Sequence, residues 1–199
     1  MSSNTRVPKA EITGLYGALA KRMSRKVIGD VAEPMEVMWH NKKVLNTAMG
    51  LGGKVQKWDA CPLDLKSYAH MAVSSMIGCT WCLDYAYFET HNKNLDVDKA
   101  REVPRWRESE VFTELEREVM GYAEAMSQTP PTVTDEQVAG LLAQLGPSAL
   151  VELTSFIAFS NFTTRANVAL GIESQGFAAS CDLRPLAERP ARPAVVASS

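Results

Sequence analysis

Cysteine and histidine are scarce in this sequence of 199 residues, which contains four cysteines and three histidines. The four cysteines are too few and too unevenly spaced for a disulfide scaffold. A zinc site would need two further ligands beside one CxxC pair, but the histidines form no HxxxH motif and there is no second CxxC. We therefore expect neither a metal nor another cofactor.

The sequence also lacks a strong net charge and any long apolar run. Its formal net charge of −2 gives no electrostatic reason to expect a nucleic acid or an acidic membrane surface as a partner. No run approaches the roughly 18 consecutive apolar residues of a membrane span. Residues 1–6 lack the apolar run of a signal peptide. We therefore predict a cytoplasmic protein with no membrane partner.

Helical periodicity runs through almost the whole sequence and predicts a single all-α domain, a helical bundle, over residues 1–183. Helices are expected at about residues 9–27, 34–53, 64–77, 79–93, 113–129, 134–145 and 149–170. Capping boxes mark two of these starts, at Thr113 and Thr134. The last helix is apolar nearly all round, which is typical of a core helix or a subunit interface. Prolines and small residues predict a flexible tail over residues 184–199.

Cys79-Thr80-Trp81-Cys82 is the most informative motif. Its spacing allows a reversible disulfide, and its position after Gly78 predicts that Cys79 lies at the start of a helix. Free backbone N–H groups at a helix start lower the pKa of a thiol, so position alone favours Cys79 as the more acidic and more accessible thiol. The alternative interpretation is a pair of small buried residues without redox function.

A reactive thiol usually needs a proton acceptor nearby. His70, in the preceding helix, is the best candidate for this base, although it could equally be a hydrogen-bonded core histidine. Glu89 shares the face of Cys82 but lies roughly 10 Å further along the helix. His91 is turned to the opposite side and is expected at the surface, and His40 is a weaker candidate.

The residues around the thiols resemble those of a known family. An apolar helix leads to Gly78 and the CxxC pair, and Leu83-Asp84-Tyr85 follows. Further matching runs are residues 95–100, 103–106, 112–118 and 122–126 and the closing helix from about residue 153 to residue 171. Over residues 34–180 the chain thus resembles the alkylhydroperoxidase D-like branch of the carboxymuconolactone decarboxylase family.

This resemblance implies an all-helical fold that assembles as a homo-oligomer, a trimer or hexamer, through its helices. It also implies that the CxxC pair reduces hydroperoxides with electrons from a thiol or a dihydrolipoyl-type reductant. By motif position Cys82 would attack the peroxide and become a sulfenic acid, and Cys79 would resolve it as a disulfide. The helix-end argument instead favours Cys79 as the more acidic thiol. We adopt the order of roles that the resemblance implies.

Two positions depart from the family's pattern. Its peroxidase motif has a glutamate upstream and a histidine downstream of the thiols, where this chain has Ser67 and Ala86. Either His70, Glu89 or a residue of another helix then supplies the base, or the peroxidase activity is weak. Two other functions stay open: a lyase acting on a small lactone acid, and a non-catalytic oligomer in which the thiol pair senses the redox state.

Overall fold

The computed structural model describes residues 5–190, and these residues form helices and connecting segments with no β-strand. The helices are α1 (Gly14–Ile28), α2 (Glu33–Met38), α3 (Lys42–Val55), α4 (Leu63–Ile77), α5 (Thr80–Asn92), α6 (Val97–Glu102), a 3₁₀ turn (Val103–Arg105), α7 (Glu114–Ser127), α8 (Asp135–Leu170) and α9 (Phe177–Ser180). The predicted all-α class is therefore confirmed.

Both predicted capping boxes are present. The Thr113 hydroxyl accepts a hydrogen bond from the backbone N–H of Glu116, whose carboxylate accepts one from the Thr113 N–H at 2.7 Å. Thr134 and Gln137 form the same reciprocal pair at the start of α8. Each box satisfies backbone donors that have no partner inside the helix, so α7 and α8 begin where the sequence predicts.

The helix predicted from Pro34 to Gly50–Gly53 is wrong as a single element, because the structure divides it into α2 and α3. The Asn41 side chain accepts a hydrogen bond from the Val44 N–H at 3.2 Å and so begins a new helix. The new helix α3 continues past its glycines to Val55. One of them, Gly52, lies against the ring of Phe159, where a Cβ atom would be 3.3 Å from the ring.

The two helices predicted on either side of Gly146-Pro147 are both present: they meet at a kink at Gly146 and are labelled together as α8. The φ angle of Gly146 is 77°, a conformation that glycine adopts without the steric cost of a Cβ atom. By length and composition alone α8 could cross a membrane. Here, however, it is kinked and packs against α4 and α7 in the core.

Helix α4 lies at the centre of the fold and packs against α5, α7 and α8. A buried ion pair also joins α4 to α8, since Lys66 Nζ lies 2.6 Å from a carboxylate oxygen of Glu152. Burial alone would raise the pKa of Glu152, but the Lys66 ammonium and the backbone N–H groups of Ala60 and Cys61 bring it below its usual value. The pair and the apolar core together hold α8 beside the CxxC motif.

The N-terminal helices form a second layer around Met35, Trp39 and Leu45. Leu15 of α1 is 93% exposed, and Leu19, Met23 and Val27 are also more than half exposed. The apolar face of α1 is therefore largely uncovered in the single chain.

The first part of the predicted tail lies against the body of the protein. The carbonyl of Arg184 accepts a hydrogen bond from the Tyr87 hydroxyl, and that of Pro185 accepts one from the Arg101 side chain. The Ala187 N–H donates to the Arg101 carbonyl at 3.0 Å. Residues 191–199 lie outside the described residues. The domain boundary at residue 183 and the flexibility of residues 184–199 stay predictions.

Candidate functional site

The thiol pair lies at the junction of α4 and α5. Gly78 ends α4 with a φ of 87°, and the chain reverses there into α5. Cys79 is the N-cap residue of α5, and its sulfur accepts a hydrogen bond from the backbone N–H of Cys82 at 3.2 Å. The predicted placement of Cys79 at the helix start is therefore confirmed. This N–H would stabilise a thiolate at Cys79.

Cys79 and Cys82 are joined by a disulfide, with their Cα atoms 5.3 Å apart. Cys79 is 1% exposed and Cys82 is 2% exposed, so both residues are buried and exposure does not distinguish them. The N-cap position turns the Cys79 sulfur onto the backbone of its own helix. Cys82 instead lines a cavity of about 160 Å³, whose described wall does not include Cys79.

This thiol cavity lies between α4, α5 and α8. Ser67 of α4 and Ala86 of α5 both line it, so the two positions where the family has its glutamate and histidine face the same space as Cys82. Other wall residues are Gln56, Leu63, Lys66, His70, Trp81, Tyr85, Glu89, Lys93, Phe156, Phe159, Ser160, Thr163 and Asn167. The cavity thus contains the two base candidates, His70 and Glu89, together with Cys82.

His70 is oriented by α8. Its Nδ1 lies 2.9 Å from the Ser160 hydroxyl, and that hydroxyl donates to the Phe156 carbonyl. Because the single Ser160 proton is used there, we assign the proton of His70 to Nδ1, which leaves Nε2 as an acceptor. Burial, and then the positive charge of Lys93, lower the pKa of His70 to about 4. The imidazole is therefore neutral at pH 7 and can accept a proton.

Glu89 is held by its neighbours on α5. One carboxylate oxygen accepts a hydrogen bond from the Tyr85 hydroxyl at 3.0 Å, and the other lies 3.3 Å from Lys93 Nζ. Burial and the Glu89 carboxylate raise the pKa of Tyr85 far above its usual value, so this hydroxyl remains a donor. Glu89 thus anchors Tyr85 and Lys93 at the cavity wall.

Asn167 completes the surroundings of Cys82, and sequence reasoning gave it no role. Its side-chain amide donates to the Cys82 sulfur at 3.4 Å. Ser160, Thr164 and Asn167 are all buried and form a polar stripe on helix α8. Their spacing of four and three residues is a helical signal that could have been read from the sequence. An N–H donor at this distance stabilises the charged form of a thiol.

We expect Asn167→Ala to raise the pKa of the Cys82 thiol in the reduced protein by about 1 unit, since a hydrogen bond to a charged group is removed. The rate of Cys82 alkylation by iodoacetamide, followed by mass spectrometry between pH 5 and 10, measures this shift. Asn161→Ala, on the same helix but bonded to Ser127, is the matched control. An unchanged alkylation profile in Asn167→Ala would contradict the role.

The remaining histidines lie elsewhere. His91 is exposed, as predicted. His40 is also exposed, and its Nε2 lies 2.8 Å from the carbonyl of Pro8. Neither residue belongs to the described wall of the thiol cavity, so His40 is removed from the candidates for the base.

A clamp between α5 and the segment after α8 was not foreseen from the sequence. The buried Asp84 carboxylate accepts hydrogen bonds from the backbone N–H groups of Phe177 and Ala178, both at 2.9 Å. Trp81 donates its indole N–H to Gln175 at 2.9 Å. These contacts hold the first turns of α5, and with them the thiol pair, against the C-terminal segment.

The fold and the buried thiol pair define a class: the chain has the alkylhydroperoxidase D-like fold, and its structural neighbours are AhpD-like and peroxidase-related proteins. A peroxidase-related protein with an AhpD core from Ralstonia eutropha JMP134 has a TM-score of 0.73 at 12% identity, over 89% of this chain and 96% of that chain. The resemblance noted in the sequence is thus confirmed at the level of the fold.

Two further relatives are similar to this chain. A variant of the debrominase Bmp8 in complex with 2,3,4-tribromopyrrole has a TM-score of 0.75 at 20% identity, over 89% of this chain and 98% of that chain. The uncharacterized protein YnjA of Escherichia coli K12 is 37% identical over 117 residues, which are 58% of this chain and 64% of YnjA. No family model matches the sequence.

Proposed function

We propose that this protein is a thiol-dependent peroxidase that reduces organic hydroperoxides with the Cys79–Cys82 pair. The observation that carries the proposal is the placement of Cys82: it lines a cavity with the neutral His70, receives the Asn167 amide on its sulfur, and lies within bridging distance of Cys79. A nucleophilic thiol, a proton acceptor, a donor to the thiolate and a resolving thiol are the groups that this reaction requires.

The proposed cycle begins when His70 Nε2 accepts the proton of the Cys82 thiol. The thiolate attacks the terminal oxygen of the hydroperoxide, the O–O bond breaks, and the leaving alkoxide takes the proton from the His70 imidazolium and departs as the alcohol. Cys82 is then a sulfenic acid. The Cys79 thiol attacks the Cys82 sulfur, and its proton leaves with the sulfenic hydroxyl as water, which gives the disulfide. A thiol or dihydrolipoyl-type reductant supplies two electrons and two protons to restore both thiols.

The test is a thiol titration before and after one equivalent of cumene hydroperoxide, with mass spectrometry of the Cys79–Cys82 peptide. We expect two thiols to disappear and this peptide to lose two hydrogens. Cys61 serves as an internal control, because burial raises its pKa to about 11 and keeps it protonated. Two unreacted thiols at Cys79 and Cys82 would rule out the proposal.

A second candidate function is reductive dehalogenation of a flat halogenated ring. The observation in its favour is the aromatic wall beside Cys82, where Trp81 and Tyr85 stack with ring centres 5.1 Å apart and an interplanar angle of 18°. One turnover would replace a carbon–bromine bond by carbon–hydrogen, release bromide and a proton, and oxidise both thiols to the disulfide. Bromide release from 2,3,4-tribromopyrrole, compared with turnover of cumene hydroperoxide, discriminates the two functions.

We also propose that the protein assembles as a homo-oligomer, a trimer or hexamer. Leu15 of α1 is 93% exposed and Val151 of α8 is 68% exposed in the single chain, and such apolar surface favours an interface. Sedimentation equilibrium of the purified protein measures the number of subunits.

A further inference from the structure

A second cavity, the apolar groove, lies beside the thiol cavity and is larger, with a volume of about 530 Å³. Helices α1, α2 and α3 form one side of it, and α5 and α8 form the other. Among the described residues of its wall, none carries a charged side chain. The wall includes four methionines, Met23, Met35, Met38 and Met49, whose flexible side chains adapt to differently shaped apolar groups.

The groove and the thiol cavity share part of their walls. Trp81, Tyr85, Thr163 and Asn167 line both spaces. Asn167 is the donor to the Cys82 sulfur, so the groove reaches the immediate neighbourhood of the reactive thiol. Trp81 is held in place there, because its partner Gln175 also donates to the Val31 carbonyl at 3.0 Å.

The thiol cavity is the more polar of the two spaces, and the groove is apolar. An organic hydroperoxide has the same division between its peroxide group and its hydrocarbon tail. The thiol cavity contains Lys66, His70 and Glu89, which suit a small polar group. The groove offers only uncharged and mostly apolar side chains, and its volume falls in the range of small-molecule sites. The wall that it shares with the thiol cavity favours a substrate, rather than a second copy of this chain, as the occupant.

We propose that the apolar groove binds the neutral alkyl or aryl group of the substrate while the O–O bond lies at Cys82. This inference rests on the proposed peroxidase function and specifies its substrate class: an organic hydroperoxide with a bulky, uncharged tail. Hydrogen peroxide, which has no tail, uses the thiol cavity alone.

Ala48 of α3 lines the groove but does not belong to the described wall of the thiol cavity, so Ala48→Trp places a large ring in the groove. We expect kcat/KM for cumene hydroperoxide to fall about tenfold or more, because an apolar tail loses its contacts. The value for hydrogen peroxide should stay within about twofold, since binding in the thiol cavity is unchanged. Ala20→Trp, from α1, should act in the same way. Thr47→Trp is the matched control, because Thr47 is the exposed neighbour of Ala48 on α3 and does not belong to the described groove wall.

Binding of cumyl alcohol, the product, to the oxidised protein is measured by calorimetry as a readout that needs no turnover. If no peroxide is reduced but Ala48→Trp weakens cumyl alcohol binding, the proposed function fails and the groove site is supported. If Ala48→Trp is folded and lowers kcat/KM for cumene hydroperoxide and for hydrogen peroxide equally, the groove site is overturned. Sedimentation of Ala48→Trp tests the remaining alternative. A smaller oligomer, with an unchanged ratio of kcat/KM for the two peroxides, would show that a second copy occupies the groove and would also overturn the groove site.

Discussion

Replacing Cys82 by serine should reduce peroxide turnover by at least about a thousandfold, because a serine hydroxyl is not ionised at neutral pH and does not attack an O–O bond. Cys79→Ser should behave differently. It should reduce one equivalent of cumene hydroperoxide, accumulate a sulfenic acid on Cys82 and then stop, since no thiol remains to form the disulfide. Stopped-flow turnover and trapping of the sulfenic acid with dimedone measure the two outcomes.

The control for these variants is Cys61→Ser, which removes a buried thiol whose pKa is raised by burial, and which should retain wild-type turnover. The two single variants also test the order of roles. If Cys79→Ser loses the first turnover while Cys82→Ser retains it, the roles are reversed. The helix-end argument, in which the Cys82 N–H stabilises a Cys79 thiolate, would then outweigh the position of Cys82 at the cavity.

His70→Phe should lower kcat/KM for peroxide about a hundredfold, because it keeps a ring beside Phe156 but removes the proton acceptor. In the wild-type protein the pKa of His70 is about 4. Its contribution should therefore be present throughout neutral pH and be lost only as the pH falls towards 4, where the imidazole becomes charged. If kcat/KM of the wild type instead changes near pH 6.5, and His70→Phe removes this change, the low pKa of His70 is contradicted.

His70 should also affect stability as a function of pH. Its pKa is about 4 in the folded protein, against the ordinary value near 6.5 in the unfolded chain, so the unfolded chain binds more protons between these values. The resulting stability is complete above pH 6.5 and is lost as the pH falls to 4. The loss amounts to at most about 3 kcal/mol of unfolding free energy.

Urea denaturation of the wild type and of His70→Gln at pH 7 and pH 4.5 measures this effect. We expect the wild type to lose more unfolding free energy than His70→Gln over this interval, because glutamine does not titrate. His91→Gln is the control, since His91 is exposed, and its pH dependence should match that of the wild type. Equal losses in all three proteins would show that His70 does not cause this pH dependence.

Local signals in the sequence predicted the parts of the fold that depend on neighbours within one helical turn. The capping boxes at Thr113 and Thr134 and the position of Cys79 at the start of α5 are of this kind, because a side chain and the backbone N–H groups just after it decide them. The break at Asn41 is also local, but the glycines further along α3 were given more weight than this capping side chain.

The candidate site likewise has one part that the sequence predicts and another that depends on the tertiary structure. The sequence by itself identified the candidate residues, the Cys79–Cys82 pair and the nearby His70, because spacing along one or two helices suffices to find them. Only the tertiary structure decided that Cys82 rather than Cys79 lines the cavity and that Asn167 donates to its sulfur. It also decided that an uncharged groove under α1 reaches the same place. The physical reason is that these contacts join residues far apart in the chain, such as Cys82 and Asn167, which are 85 residues apart, so they depend on how the helices pack against one another.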